Sequence, residues 1–349
     1  MERRRYISYQ IKYKKEVCMK NLKYMDAPFT IKIELVEGCN LFCKWCGIRG
    51  IRKGPGGYKF LTISLAKKIA KQIKESGWNP RLELAMRGEP TMNPNLLEII
   101  HILKEENKFI PIMITSNGGG LLKNNNITKN ISSLFEAGLN VLALDDYKYS
   151  KIIPKIKNEY KGNIPITTFP EESPYKKRKY NEKIIIIIPD IGQYTKLSTR
   201  TLSNHCGCAF PLNFSKKDSL CARPFRELAI RYDGKVPLCC NDWRGTYICG
   251  DITKNNIVEI WNNKNFDAVR RVLFFNKRTF PPCLGCDSIS YRLGFLPDKM
   301  GKKKKEIENP DEECFTTIKN ILKESPLNKI VKRPWEILFK NTQQRRKIK

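Results

Sequence analysis

Three cysteines, Cys39, Cys43 and Cys46, stand in the run Gly38-Cys39-Asn40-Leu41-Phe42-Cys43-Lys44-Trp45-Cys46-Gly47, at spacing C-x3-C-x2-C. The run follows an apolar, strand-like stretch directly. Three thiolates offered by one loop can converge on one soft metal centre. A closed structural site takes four protein ligands, whereas a site that does chemistry keeps a position open. No nearby histidine or fourth cysteine completes this set, because the only histidines are His101 and His205. The loop therefore points to a four-iron cluster with one iron left free for a small chelating ligand. A structural zinc site is the competing reading, and it lacks its fourth ligand.

A second set of cysteines lies far downstream. Cys221-x17-Cys239 and Cys283-x2-Cys286 are two separated pairs, and four thiolates in this pattern can make either a zinc ribbon or a second iron–sulfur cluster. Cys240 and Cys249 lie among them without an assignable role. Asn204-His205-Cys206-Gly207-Cys208 admits a further metal, a redox pair or plain cavity thiols, and is read here as holding no metal. Cys18 and Cys314 stand alone and read as ordinary thiols. Clustered cysteines in a chain with no visible secretory signal bind metal or do chemistry more often than they pair as disulfides.

The elements that must position these thiols follow from periodicity. Residues 30–36 read as a strand that feeds the first cysteine loop. Thr62 opens a helix whose apolar face carries Ile63, Leu65, Ala66, Ile69, Ala70 and Ile73, and Gly77 ends it. Strands are predicted at 82–86, 110–115, 140–144, 164–169 and 183–188, and helices at 94–107 and 131–137. Strand–helix alternation with continuously apolar strands predicts a parallel sheet covered by helices, with the chemistry on loops after the strand C-termini. Residues 170–182 read as a linker or surface loop. From about 200 the cysteines, prolines and glycines become dense, which predicts a second domain.

The chain has 349 residues, 41% of them apolar, enough to fill a sizeable core. Its longest pure apolar run, 184–188, is far too short to span a bilayer. The expectation is a soluble cytoplasmic protein with no membrane association. The formal net charge is +30, and it is spread through the body rather than confined to a tail. A basic body suits an anionic partner such as nucleic acid, a nucleotide-linked substrate or an acidic peptide. Solvated lysine, in a chain rich in Lys, Asn and Ile, is the other reading.

The first loop resembles the signature of the radical S-adenosylmethionine (SAM) superfamily, C-x3-C-x2-C with an aromatic residue, here Trp45, just before the last cysteine. The resemblance implies that the open iron chelates SAM and that one electron cleaves it to a 5′-deoxyadenosyl radical. Arg87-Gly88-Glu89-Pro90 resembles the family's Gly-Gly-Glu-Pro motif, with Arg87 in place of the first glycine. Ser116-Asn117-Gly118 resembles its Thr-Asn-Gly segment. The resemblance implies that Trp45, Gly88, Glu89, Pro90, Ser116 and Asn117 surround SAM. It adds Asp145, for which a strand-end capping role serves equally well.

Residues 230–240, Gly250-Asp251-Ile252 and Glu259-Ile260-Trp261 resemble the SPASM/twitch extension of these enzymes. That likeness implies an auxiliary [4Fe-4S] cluster on Cys221, Cys239, Cys283 and Cys286. A single auxiliary cluster is expected, since only Cys314 follows Cys286.

The expected fold is α/β, a partial (β/α)6 TIM-like barrel over 30–195 with a small cysteine-rich SPASM/twitch domain over 200–290. A lead-in segment (1–29) precedes it and a basic tail (291–349) follows. The expected activity is reductive SAM cleavage and hydrogen abstraction, leading to oxidation or cross-linking of a peptide or sugar-like molecule. An electron donor such as flavodoxin or ferredoxin is implied. The alternatives are a radical SAM enzyme acting on RNA or a nucleotide, and a non-catalytic zinc or nucleic-acid-binding protein.

Overall fold

Strands that are apolar on both faces must be covered on both faces, and helices do this in a parallel sheet. The computed structural model describes residues 27–43, 45–147, 151–176, 178–189, 203–209, 221–274, 278–288 and 312–325. Its strands in chain order are β1 (Thr30–Ile33), β2 (Val36–Glu37), β3 (Lys59–Phe60), β4 (Arg81–Glu83), β5 (Ile112–Ser116), β6 (Val141–Asp145), β7 (Ile166–Thr168), β8 (Ile184–Ile188), β9 (Glu227–Ile230), β10 (Lys235–Pro237) and β11 (Ile248–Asp251). Seven of them form one sheet in the order β7-β8-β6-β5-β4-β1-β9. Every pairing in that sheet is parallel. Two small antiparallel pairs, β2 with β3 and β10 with β11, lie outside it.

The helices are α1 (Ile63–Glu75), α2 (Leu96–Glu106), α3 (Ile127–Glu136), α4 (Ile152–Glu159), α5 (Arg223–Arg226), α6 (Ile257–Asn262), α7 (Lys264–Phe274) and α8 (Glu312–Lys323). In α1, Ala66, Ile69, Ala70 and Ile73 fall on one face and are buried. Each such isoleucine contributes about 1.5–3 kcal/mol of transfer free energy. Thr62 caps α1 by accepting the Leu65 N–H, a contact worth about 1 kcal/mol. Gly77, at φ 68°, turns the chain away after the helix.

Several elements differ from the sequence reading. The strand expected over 30–36 breaks after Ile33, and Val36–Glu37 turns aside to pair with β3. Helix α4 was not anticipated, because Pro154 interrupts its pattern, yet it buries Ile153 and Ile156. Residues 170–182 are more than a linker. Tyr175 O accepts from Arg81 Nη1, which ties this segment to β4. Strand β9, which lies within the expected second domain, pairs with β1 in the large sheet. Chain from beyond 200 therefore completes the sheet begun at Thr30. The region beyond 291 includes α8, whose buried Cys314, Ile318 and Leu322 join the main core. Most of the 1–29 lead-in and the lysine run 302–305 lie outside the described residues.

Candidate active site

The first cysteine loop leaves the sheet at β2 and crosses the C-terminal ends of the parallel strands. Gly38 and Gly88 bridge in parallel there. Gly88 must be glycine, since a Cβ would lie 2.2 Å from Val36 O and 2.4 Å from Gly38 O. Gly38, at φ 130°, is equally constrained. These two close approaches bring Cys39 beside the loop that follows β5. Cys39 Sγ accepts from the Leu41 N–H at 3.3 Å and from Asn117 Nδ2 at 3.4 Å. Asn117 Nδ2 also donates to Asn40 Oδ1 at 2.9 Å.

Burial pushes the Cys39 thiol up to about 12 and the Cys46 thiol up to about 11, and each feels the charge of its neighbouring cysteines. Burial raises Cys43 as well, with Asp145 adding to it and Arg49 opposing. Neutral thiols crowded together are a poor arrangement by themselves. A cationic metal centre converts each into a ligand thiolate. Three soft donors on one loop, with N–H groups aimed at one sulfur, fit an iron–sulfur cluster.

Cys39, Trp45 and Cys46 line a cavity of about 330 Å³ together with Gly88, Glu89, Ser116, Asn117 and Asp145. Residues from four separate stretches, each singled out by motif, thus meet in one place. Pro90 is buried at the start of the short turn over 90–92 and holds Glu89 from behind. Glu89 accepts from Thr91 N at 3.0 Å, Thr91 Oγ1 at 2.6 Å and Ser116 Oγ at 2.5 Å, all on one oxygen. Its other oxygen accepts from Asn117 N at 2.7 Å. The carboxylate therefore knits the loops after β4 and β5 into one floor.

Arg87, where the motif has glycine, is 2% exposed. It donates to Glu34 through Nε at 2.6 Å and Nη2 at 2.7 Å, and lies 2.7 Å from Glu37. Its Nη1 donates to Trp243 O at 2.8 Å. Arg231 and Lys59 also reach Glu37, at 3.2 and 3.0 Å. This buried network ties the strand ends to the segment after Cys239, so the departure at Arg87 makes a connection between the two cysteine regions.

In the second region, Cys283 feels Cys221, Cys239 and Cys286, so the four expected thiols are brought together from three chain segments. Cys206, read as holding no metal, joins them within hydrogen-bonding reach of both Cys239 and Cys286. That bond pulls the Cys286 thiol down to about 6. Cys240 turns elsewhere, accepting from Arg223 Nη1 at 3.0 Å and lying 3.3 Å from Glu227 Oε2. Cys249 is buried, and burial raises its thiol strongly, with Arg270 opposing. No three His, Cys, Asp or Glu side chains among the described residues close tightly enough to hold a single ion. Thiols around a cluster are spread over a larger body than one ion.

Further residues line the cavity that the motifs do not predict, among them the ring-bearing Tyr147, Phe169, Tyr175, His205 and Trp243. Trp45 stacks on Tyr147 with ring centroids 6.4 Å apart. His205 packs on Trp243 at 4.0 Å, and burial, helped by Arg223, pulls its imidazole down to about 3, so it is neutral. The one sequence signal for Tyr147 is its place just past the end of β6. His205 and Trp243 carry no periodic signal at all. His101 is exposed on α2.

Family models match two stretches of the chain, the Radical SAM superfamily over residues 33–160 and the SPASM iron–sulfur cluster-binding domain over 221–287. The chain belongs to the radical SAM superfamily. As a radical SAM enzyme it uses SAM and a [4Fe-4S] cluster, and its SPASM domain adds auxiliary iron–sulfur chemistry, which answers the zinc alternative. It is similar to the S-adenosyl-L-methionine-dependent 2-deoxy-scyllo-inosamine dehydrogenase of Niallia circulans. The two are 22% identical over 269 residues, 76% of this chain and 96% of the relative. GTP 3′,8-cyclase of Actinobacillus pleuropneumoniae is 25% identical over 88 residues, 25% of each chain.

The crystal structure of BtrN in complex with AdoMet and 2-DOIA superposes with a TM-score of 0.59 at 19% identity, covering 77% of this chain and 96% of BtrN. BtrN in an open conformation gives 0.53 at 18% identity, over 76% of this chain and 97% of BtrN. The shared fold is the partial barrel of radical SAM enzymes. No helix among the described residues is long and apolar enough to cross a membrane.

Proposed function

We propose that this radical SAM enzyme oxidises a neutral or amine-bearing substrate, sugar-like or peptidic, by removing a hydrogen atom and then a second electron together with a proton that is released to solvent. In this reading Cys39, Cys43 and Cys46 hold the SAM-binding cluster. Trp45, Gly88, Glu89, Pro90, Ser116, Asn117 and Asp145 shape the SAM site, and Cys221, Cys239, Cys283 and Cys286 hold one auxiliary cluster. The barrel spans about 30–195 and the auxiliary domain about 200–290, with β9 reaching back into the sheet. The observation that carries the reading is that one cavity is walled by Cys39 and Cys46 together with His205, the residue before Cys206, and Trp243, four residues past Cys239.

When bound, SAM and the reduced cluster supply the hydrogen-abstracting radical. The chain's own residues position and exclude water. Trp45, Tyr147, Phe169, Tyr175 and Trp243 give the cavity aromatic walls, which suit the C–H faces of a ring or side chain. Among the described lining residues Arg87 is the single cation at neutral pH, and its guanidinium is committed to Glu34, Glu37 and Trp243 O. That favours a hydroxyl- or amine-bearing substrate over a phosphorylated one, despite the basic body. The dehydrogenase of Niallia circulans, named for an amino-bearing cyclitol, supports the same class. An auxiliary cluster on the second cysteine set is suited to accept the second electron, and a flavodoxin or ferredoxin would deliver the first.

The test is anaerobic turnover of the iron-replete protein with SAM, reductant and 2-deoxy-scyllo-inosamine or a hydroxyl-rich peptide deuterated at the oxidisable carbon. The expected result is one deuterated 5′-deoxyadenosine for each substrate that loses two hydrogens. 5′-Deoxyadenosine with no deuterium from any such substrate, but with deuterium from an RNA or nucleotide, would replace this reading with the nucleic-acid one.

A further inference from the structure

Cys206 belongs to neither pair of the expected auxiliary quartet, yet the fold holds it against two of its members. The holding is specific. Asn204 donates from its backbone N–H to Asp287 Oδ1 at 2.8 Å and from Nδ2 to Gly285 O at 2.7 Å. Ser203 Oγ donates to Asp287 Oδ1 at 3.3 Å and accepts from Asn241 Nδ2 at 3.0 Å. These bonds strap residues 203–204 across the Cys283–Gly285 turn and onto Asn241, two residues past Cys239. His205 and Cys206 both adopt left-handed backbone, at φ 46° and 55°. Side chains other than glycine stay there only where the surroundings over-determine it. The strained turn aims the Cys206 sulfur at Cys239 and Cys286.

A [4Fe-4S] cluster takes one thiolate per iron, so a fifth cysteine is left without an iron of its own. Its remaining chemistry toward the cluster is that of a weak S–H donor to sulfur. Resting on the proposed quartet, we propose that Cys206 donates an S–H hydrogen bond to the cluster-bound thiolates of Cys286 and Cys239 and raises the reduction potential of the auxiliary cluster. A donor at a ligand sulfur stabilises the reduced, more negative cluster over the oxidised one. A higher potential makes the cluster a better acceptor of the electron that leaves the substrate. Cys206 is thus a positioning and tuning residue that acts through the ligands.

The test uses the full chain with Cys39, Cys43 and Cys46 all changed to Ala, so that the auxiliary cluster is the sole iron centre, and adds Cys206→Ala or Cys206→Ser. Iron per chain and an EPR-monitored redox titration are the readouts. The expected result is about four irons in all three proteins. Cys206→Ala lowers the reduced-to-oxidised ratio at fixed potential about tenfold, 59 mV for a one-electron couple. Cys206→Ser keeps an O–H donor and recovers most of that loss. Iron lost in Cys206→Ala but kept in Cys286→Ala would make Cys206 a ligand and overturn the donor role. Equal potentials in all three proteins at full iron content would overturn it as well. An iron-free parent would instead bring down the quartet on which the proposal rests.

Discussion

The two cysteine regions solve opposite problems. In the first, three thiols come from eight consecutive residues and are half-buried, with Cys39 and Cys46 at the wall of a cavity. In the second, Cys221, Cys239 and Cys283 are buried, and the set is gathered from separate segments with Cys206 packed against it. One loop can present a centre to a ligand that comes and goes. Several segments locked by Ser203, Asn204 and Asp287 can enclose a centre that only exchanges electrons. The contrast is between a reactive site and a sealed store, and Arg87 joins them by holding Glu34 on one side and Trp243 O on the other.

Cys43→Ala attacks the contrast hardest. It should drop 5′-deoxyadenosine formation to the level of protein-free reductant controls and remove about four of about eight irons. Loss of all the iron would show that the regions are not separable. Cys283→Ala should show the reverse pattern: about four irons lost, SAM still cleaved, and no oxidised product accumulating. Arg87→Met leaves Glu34 and Glu37 short of a buried partner. It should destabilise the fold by about 3–5 kcal/mol, read by chemical denaturation, with both iron counts intact after reconstitution.

Glu83 offers a control that belongs to neither cysteine set. Burial pushes its carboxyl up, but Lys32 and Arg81 outweigh burial and hold it at about 2. Its contribution is complete above the unfolded value of about 4.3 and is lost as pH falls toward about 2. Wild type should therefore shed about 3 kcal/mol of stability over that window beyond what Glu83→Gln sheds. Asp145→Asn should be mildest. It should raise the KM for SAM or substrate roughly three- to tenfold, the worth of one hydrogen bond, with full iron content.

What could be read from the sequence follows the same divide. Cys39, Cys43 and Cys46 are legible because their spacing is local, and Gly88, Glu89, Ser116 and Asn117 because each sits just past an apolar strand. The alternation of strands and helices gave the parallel sheet for the same reason. Cys206 was not legible, since its partners Cys239 and Cys286 lie far along the chain and the strained turn that aims it has no sequence period. His205, Trp243 and Tyr175 reach the cavity only through tertiary folding. The place of β9 in the large sheet was not legible either, because Leu228, Ala229 and Ile230 look alike in any strand setting, and only the pairing with β1 decides.

That pairing also orders events during synthesis. Thr30–Ile33 is among the first described chain to leave the ribosome, but its neighbour Glu227–Ile230 follows roughly 200 residues later. Until then one edge of β1 stays unpaired, and the loop carrying Cys39, Cys43 and Cys46 hangs from an unfinished sheet. His205 and Trp243, which later wall the cavity, are the last of its lining residues to be translated. The loop of Cys39, Cys43 and Cys46 is thus made long before the residues that complete its surroundings. The second cysteine set is complete only once Cys286 has been made.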